Sequence, residues 1–184
     1  MIEWKKWLIP AAALLALTAC RAEPTQGTAL VEPEAVQPVT VEIKNTNGEA
    51  IGSATLRQMK AGVQIEVEVS GLTPGLHGFH IHQNGTCEPP EFKSAGDHFN
   101  PDGKQHGFEN PRGFHNGDLP NLEVNQDGKA SAVMVAKKVT LETGAPNSLL
   151  KPGGTSLIIH EKVDDYKTDP SGNSGARIAC GIIK

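Results

Sequence analysis

From Val39 onward the chain alternates apolar and polar side chains in short runs. Val39-Thr40-Val41-Glu42-Ile43 places every second residue on one apolar face, and after the tight-turn dipeptide Asn47-Gly48 the run Ile51 to Leu56 resumes strand character. Gly62 precedes Val63-Gln64-Ile65-Glu66-Val67-Glu68-Val69, a run of strict period two. That period sends one set of side chains to a core and the other to solvent, so it predicts a half-buried sheet and not a helix. Further strands are expected at Leu76 to His82, Asn121 to Asn125, Ala130 to Ala136, Thr155 to His160 and Arg177 to Ile183, with Asp127-Gly128 as a hairpin turn. No stretch keeps helical periodicity over three turns. About eight short strands with glycine-rich turns predict an all-β fold, an eight-stranded antiparallel Greek-key sandwich or flattened barrel.

One stretch interrupts this rhythm. Asn84 to Leu119 is rich in Gly, Pro, Asn and His and has no period. Loops of that length inside a compact domain are usually functional or disordered. This one needs something besides a hydrophobic core to hold it, and metal ligands with a disulfide would suffice.

The N-terminus has a different pattern. Lys5 and Lys6 precede the apolar run Leu8 to Leu17, followed by Leu17-Thr18-Ala19-Cys20. The run is too short for a bilayer span of about twenty residues and has the form of a secretory signal, residues 1–19. Its last four residues resemble the lipobox of bacterial lipoproteins, which implies lipidation of Cys20 and anchoring to an extracytoplasmic face of a bacterial membrane. A plain secretory signal or a short membrane anchor with an incidental Cys20 is the alternative. Arg21 to Pro38 mixes Pro, Glu, Ala, Thr and Gln without period and reads as a tether, so the expected organisation is signal 1–19, tether 20–38 and domain 39–184. At 184 residues there is room for one such domain. The net charge of −4 argues against a nucleic-acid partner. If lipid occupies Cys20, the other two of the three cysteines, Cys87 and Cys180, remain as one pair in an oxidising compartment.

Candidate chemistry lies in the seven histidines. His80 and His82 stand at i and i+2 of an expected strand, so both imidazoles leave the same face and can bind one metal ion. His77 lies outside that pattern and reads as a hydrogen-bonding structural residue. The long loop adds His98, His106 and His115 with Asp118, and three imidazoles with a carboxylate form a tetrahedral set typical of zinc. His160 closes a strand far down the chain. Taken singly, these residues have other readings: Asp118 as a turn residue after Gly117, Asp164 as a solvated charge beside Asp165, Arg177 as a loop cap.

The segments GLHGFHIH (Gly75 to His82), SAGDHFNP (Ser94 to Pro101), HNGDL (His115 to Leu119), HEKVDD (His160 to Asp165) and GNSGARIACG (Gly172 to Gly181) resemble, in order, the copper/zinc superoxide dismutase family. The resemblance implies copper ligands His80, His82, His98 and His160, a nitrogen-rich set suited to copper. It implies zinc ligands His98, His106, His115 and Asp118, with His98 shared as an imidazolate. Asp164 becomes a carboxylate that hydrogen-bonds a copper-side and a zinc-side histidine. Arg177 becomes the arginine beside the open copper position, and Cys87 and Cys180 the disulfide that pins the long loop to the last strand.

The implied activity is that of an antioxidant oxidoreductase converting superoxide to oxygen and hydrogen peroxide through copper redox cycling, with His98 taking up a proton for delivery to peroxide. Lys162, Lys167 and Arg177 are expected to attract the anionic substrate despite the net negative charge. Glu88-Pro89-Pro90-Glu91-Phe92-Lys93 lengthens the disulfide subloop as in bacterial members, and the loop after His160 is short. Dimer contacts differ among branches of that family, so a homodimer is compatible but not implied. The rival readings are a metal-buffering lipoprotein and a structural envelope protein on the same sandwich. The full ligand set together with Arg177 argues against the first, and the second predicts no stoichiometric metal.

Overall fold

The computed structural model describes Met1 and residues 36–184, so Cys20, the expected signal segment beyond Met1 and the tether as far as residue 35 lie outside the described residues. The alternating runs become strands β1 (Val39–Asn45), β2 (Ala50–Met59), β3 (Gly62–Ser70), β4 (Gly75–His77), β5 (Phe79–His82), β6 (Leu122–Val124), β7 (Lys129–Ala136), β8 (Thr155–His160) and β9 (Arg177–Ile183). Seven of them form one antiparallel sheet in the order β5-β8-β9-β1-β2-β3-β7, and β4 pairs with β6. β4 leads directly into β5 at one edge of the large sheet, while β6 turns into β7 at the other. The small sheet therefore links the two edges, and the whole curls into the expected flattened-barrel architecture.

The expected strand Leu76 to His82 is divided in two, which raises the count among the described residues to nine. Gly78 N–H donates to Lys162 O at 2.8 Å and Gly78 O accepts from His160 N–H at 2.8 Å, so this residue pairs with the chain leaving β8 while β4 turns toward β6. A Cβ at position 78 would lie 2.8 Å from that of Ser174, which leaves glycine as the residue that fits the switch point.

Register follows the period-two pattern. Val41 faces Ala54, Leu56 faces Ile65 and Ala54 faces Val67, so the apolar sets of β1 to β3 stack on one side. They meet Phe79 and Ile81 of β5, Leu122 and Val124 of β6, and Leu157 and Ile159 of β8 in a single core. Val36 packs against it as well.

β8 is buried along its whole length and on both faces. Its outer face carries Ile158, which packs with Phe92, Ala95 and Cys180 in a second, small apolar cluster beneath the long loop. The loop is thus held partly by apolar contacts of its own, and Phe99 and Leu119 reach into the main core. Its backbone is laced to β5: Ile81 N–H donates to Gly117 O, Phe99 N–H to Ile81 O and Gln83 N–H to Asp97 O, at 2.8, 2.8 and 2.9 Å. The Cys87–Cys180 disulfide then ties the loop to β9 across 93 residues of sequence.

A crosslink over that separation restricts the unfolded chain by about 4–5 kcal/mol in the loop-entropy account. Replacing Cys87 and Cys180 together by Ser should therefore lower stability by about 2–5 kcal/mol. The measurement is the denaturation midpoint of the metal-free protein against that of the oxidised parent; equal midpoints would contradict the role given to this bond.

Candidate metal centre

β5 points Phe79 and Ile81 into the core, which by strand alternation turns His80 and His82 to the opposite side, where the loop buries them. Isolated bridges His82 to His98 and His80 to Asp118 bring the loop alongside. A register shift between Ile159 and His160 ends β8, and His160 there faces Arg177 of β9. Six histidines, His80, His82, His98, His106, His115 and His160, together with Asp118 and Asp164, are all buried.

Two groups of side chains emerge. In the first, potential ligand atoms of His80, His82, His98 and His160 lie within 4.8 Å of one another. Nδ1 of His80 and Nε2 of His82, His98 and His160 are buried and have no hydrogen-bond partner. An unsatisfied buried polar atom costs about 1–3 kcal/mol. Four at one place fit a cation that accepts their lone pairs.

In the second group, Nδ1 of His98, His106 and His115 lie 2.9, 3.1 and 3.2 Å from Asp118 Oδ1. Two of these nitrogens, on His98 and His115, are also 3.4 Å apart. One carboxylate oxygen has two lone pairs, so three imidazoles converging on it again fit a shared cation better than three hydrogen bonds. Asp118 Oδ2 is held by the backbone N–H of Gly107 and of His115 at 2.9 and 3.0 Å. His98 belongs to both groups, one ring nitrogen in each.

Asp164 joins the groups from behind. Its Oδ2 is 2.8 Å from His80 Nε2 and its Oδ1 is 2.9 Å from His106 Nε2. Asn121 grips the Asp164 backbone on both sides, donating to its O at 2.9 Å and accepting its N–H at 2.8 Å. Gly172, with φ +64, passes where a Cβ would collide with this carboxylate. Asn121 and Asp169, whose Oδ1 accepts His106 N–H at 2.7 Å, were not singled out by sequence pattern, because each acts through a backbone contact that carries no residue-type signature.

His77 stays outside both groups. Its ring nitrogens lie 2.7 Å from His160 O and 2.8 Å from Thr73 O. Arg177 donates to Phe92 O and Gly96 O, both at 2.7 Å, so it does brace the loop. Of the five guanidinium donors, those two bonds leave three. The residue lines a cleft of about 280 Å³ together with His82, His98, His160, Pro170 and Ser171. Lys162 and Lys167 do not line this cleft, and Lys167 pairs with Glu109 at 2.7 Å on the exposed surface.

The electrostatics separate the histidines. Burial holds His80 and His82 below the ordinary imidazole range and lowers His98 to about 3 and His160 to about 2, with neighbouring histidines adding to the effect. These four are neutral near pH 7 and present lone pairs. For His106 burial also disfavours the charge, but hydrogen bonds to Asp118 and Asp164 outweigh it and raise the pKa to about 9. The same histidine contacts overcome burial at Asp118 and Asp164 and hold both carboxyls below their usual range.

A family model described as copper/zinc superoxide dismutase (SODC) matches residues 50–183. A protein of Aquifex aeolicus named copper-zinc superoxide dismutase 2 is 51% identical over 144 residues, covering 78% of this chain and 84% of that protein. Among solved structures, a superoxide dismutase-like protein from Bacillus subtilis superposes with a TM-score of 0.77 at 46% identity, covering 79% of this chain and 97% of that one. Copper/zinc superoxide dismutase from Brucella abortus gives 0.66 at 33% identity, covering 80% and 100%.

The directions of these shifts predict how the stability of the metal-free protein responds to pH. A histidine whose folded pKa is depressed is protonated more readily when unfolded, so the stability it supports is lost as pH falls below 6.5. Each such residue steepens the decline by about 1.4 kcal/mol per pH unit. His106 acts in the opposite sense, and its contribution is lost as pH rises from 6.5 through about 9. Thermal melting of the metal-free form should therefore peak near pH 6.5 and fall more steeply on the acid side; a profile flat through the acid range would refute this account.

Proposed function

The chain belongs to the copper/zinc superoxide dismutase family, and we propose that His80, His82, His98 and His160 hold its copper ion while His98, His106, His115 and Asp118 hold its zinc ion. The activity is that of the family, conversion of superoxide to oxygen and hydrogen peroxide. The observation that carries the site assignment is the set of four buried, partnerless imidazole nitrogens facing one another, one of them on a ring whose other nitrogen sits in the Asp118 set. Copper, when bound, supplies a one-electron couple, and zinc supplies a fixed positive charge that favours an anionic ring beside it.

The rest is done by side chains of this protein. His98 would serve both sets only without a proton on either ring nitrogen, and when its Nε2 is not engaged by the copper set that nitrogen would hold a proton for delivery to the reduced oxygen product. Asp164 keeps His80 and His106 oriented through their far nitrogens. Arg177 offers its remaining N–H donors to a small anion in a cleft smaller than ordinary ligand pockets. Because Lys167 is paired elsewhere, the local attraction for superoxide rests chiefly on Arg177, whose charge is offset in part by Asp97 in the same cleft.

Location belongs to the same reading. The Cys87–Cys180 bond is consistent with an oxidising, extracytoplasmic compartment. A signal at residues 1–19, lipidation at Cys20 and a tether to residue 38 would fix the domain to a bacterial membrane. Mass spectrometry of the mature N-terminus tests this, a diacylated or triacylated Cys20 being the expected species.

Elemental analysis of the purified domain, paired with a superoxide-consumption assay before and after copper addition, tests the site. Stoichiometric copper and zinc with rapid turnover are expected, and metal-loaded protein without turnover would overturn the assignment. His98→Ala should reduce both metals together and abolish activity. Arg177→Met should lower the second-order rate constant by about tenfold or more while metal content is retained, and flatten its salt dependence. An unchanged rate constant with unchanged salt dependence would remove the anion-guiding role.

A further inference from the structure

Each zinc-side ring directs Nδ1 to Asp118, which leaves three far nitrogens to account for. That of His98 faces the four-histidine group, and that of His106 lies 2.9 Å from Asp164. The far nitrogen of His115 has Asp169 Oδ1 at 4.0 Å. The same oxygen accepts the backbone N–H of His106 at 2.7 Å, so this carboxylate is anchored and not a swinging surface charge. We propose that Asp169 is a positioning residue for the zinc side, orienting His115 through its Nε2 while it holds the His106 backbone. The inference rests on the assignment of zinc to His98, His106, His115 and Asp118.

The loop between β8 and β9 is shaped to present this group. Asp165 accepts the N–H of Lys167 and of Thr168, the Thr168 hydroxyl and the Asn173 side-chain amide at 2.9, 2.8, 2.7 and 3.0 Å, which closes the loop around one carboxylate. Thr168 O accepts Gly172 N–H at 2.6 Å just beyond. With the loop closed this way, Asp164 faces inward to His80 and His106, and Asp169 returns to the metal side five residues later.

A separation of 4.0 Å is too long for a direct hydrogen bond and suits one bridging water, which the half-exposed Asp169 side chain can admit. Ligating histidines are commonly oriented by a carboxylate on the nitrogen that does not bind metal, and loss of such a partner typically weakens metal binding about 10–100-fold. Pro170 and Ser171, the next two residues, line the Arg177 cleft, so the same contact ties the cleft wall to the zinc side.

The test measures zinc affinity by chelator competition, and the visible spectrum of the cobalt-substituted zinc site, in the disulfide-intact parent, Asp169→Asn and Asp169→Ala. Asparagine keeps an acceptor for His106 N–H but lacks the charge. Zinc binding weakened about 10–100-fold in Asp169→Ala, a smaller loss in Asp169→Asn and shifted cobalt bands in both are expected. Parent-like affinity and spectrum in Asp169→Asn would overturn the proposal, whatever happens to melting temperature. Should Asp169→Ala fail to fold, Asp169→Asn decides on the same two readouts. A parent protein that binds no zinc would overturn the zinc assignment itself, an outcome distinct from a normal parent with unaffected variants.

Discussion

One imidazole ring sets the scale of the centre. The two nitrogens of His98 flank Cε1 of a rigid five-membered ring and direct their lone pairs apart in its plane, so a ring with one nitrogen in each ligand group fixes how far apart the groups stand and in what plane. Its centroid is 4.0 Å from that of His80, 4.9 Å from His82, 5.2 Å from His106 and 5.4 Å from His115. Holding that ring requires the loop to be fixed at its base, and Phe99, the next residue, is buried in the main core with its N–H on Ile81 O. The shared ligand is therefore fastened to the same strand that carries His80 and His82.

Gathering six imidazoles and two carboxylates in one dry place is unfavourable without cations, because desolvation and mutual repulsion push the copper-side rings toward neutrality and leave lone pairs without partners. The scaffold supplies the opposing stability. The curled sheet buries a continuous core beneath the loop, a second cluster of Phe92, Ala95, Ile158 and Cys180 lies above it, and the disulfide closes the outside. Asp164, gripped by Asn121, links the two ligand groups through His80 and His106.

Access and binding are joined through the same strands. Arg177 stands opposite His160 across the β8–β9 ladder and reaches over to the carbonyls of Phe92 and Gly96, so it both closes the loop and borders the cleft. Gly96 O is also 2.8 Å from His82 Nδ1, which couples the position of the guanidinium to that of a proposed copper ligand. An anion entering the cleft meets a guanidinium whose placement is determined by the loop that carries His98.

The period-two runs are enough to locate β1 to β3, β6 and β7, since alternation is a local consequence of strand geometry and one-sided burial, whereas β8 and β9 do not alternate and show only as short apolar runs. The paired histidines at 80 and 82 were legible for the same reason, and the ordered motifs from Gly75 to Gly181 carried the family resemblance. Alternation is silent about Gly78, where the chain leaves one sheet for another because its partner is Lys162, far along the sequence. It is equally silent about Asn121 and Asp169, which act on the backbone of distant residues. Lys162 and Lys167 stand close to His160 in sequence, yet neither lines the Arg177 cleft, and Lys167 pairs with Glu109 of the long loop, a contact that no local pattern marks. Residue identity by itself determined which side chains can bind a cation. Which nitrogen of each ring faces which neighbour was decided only by the tertiary structure, because orientation depends on contacts between segments separated by scores of residues.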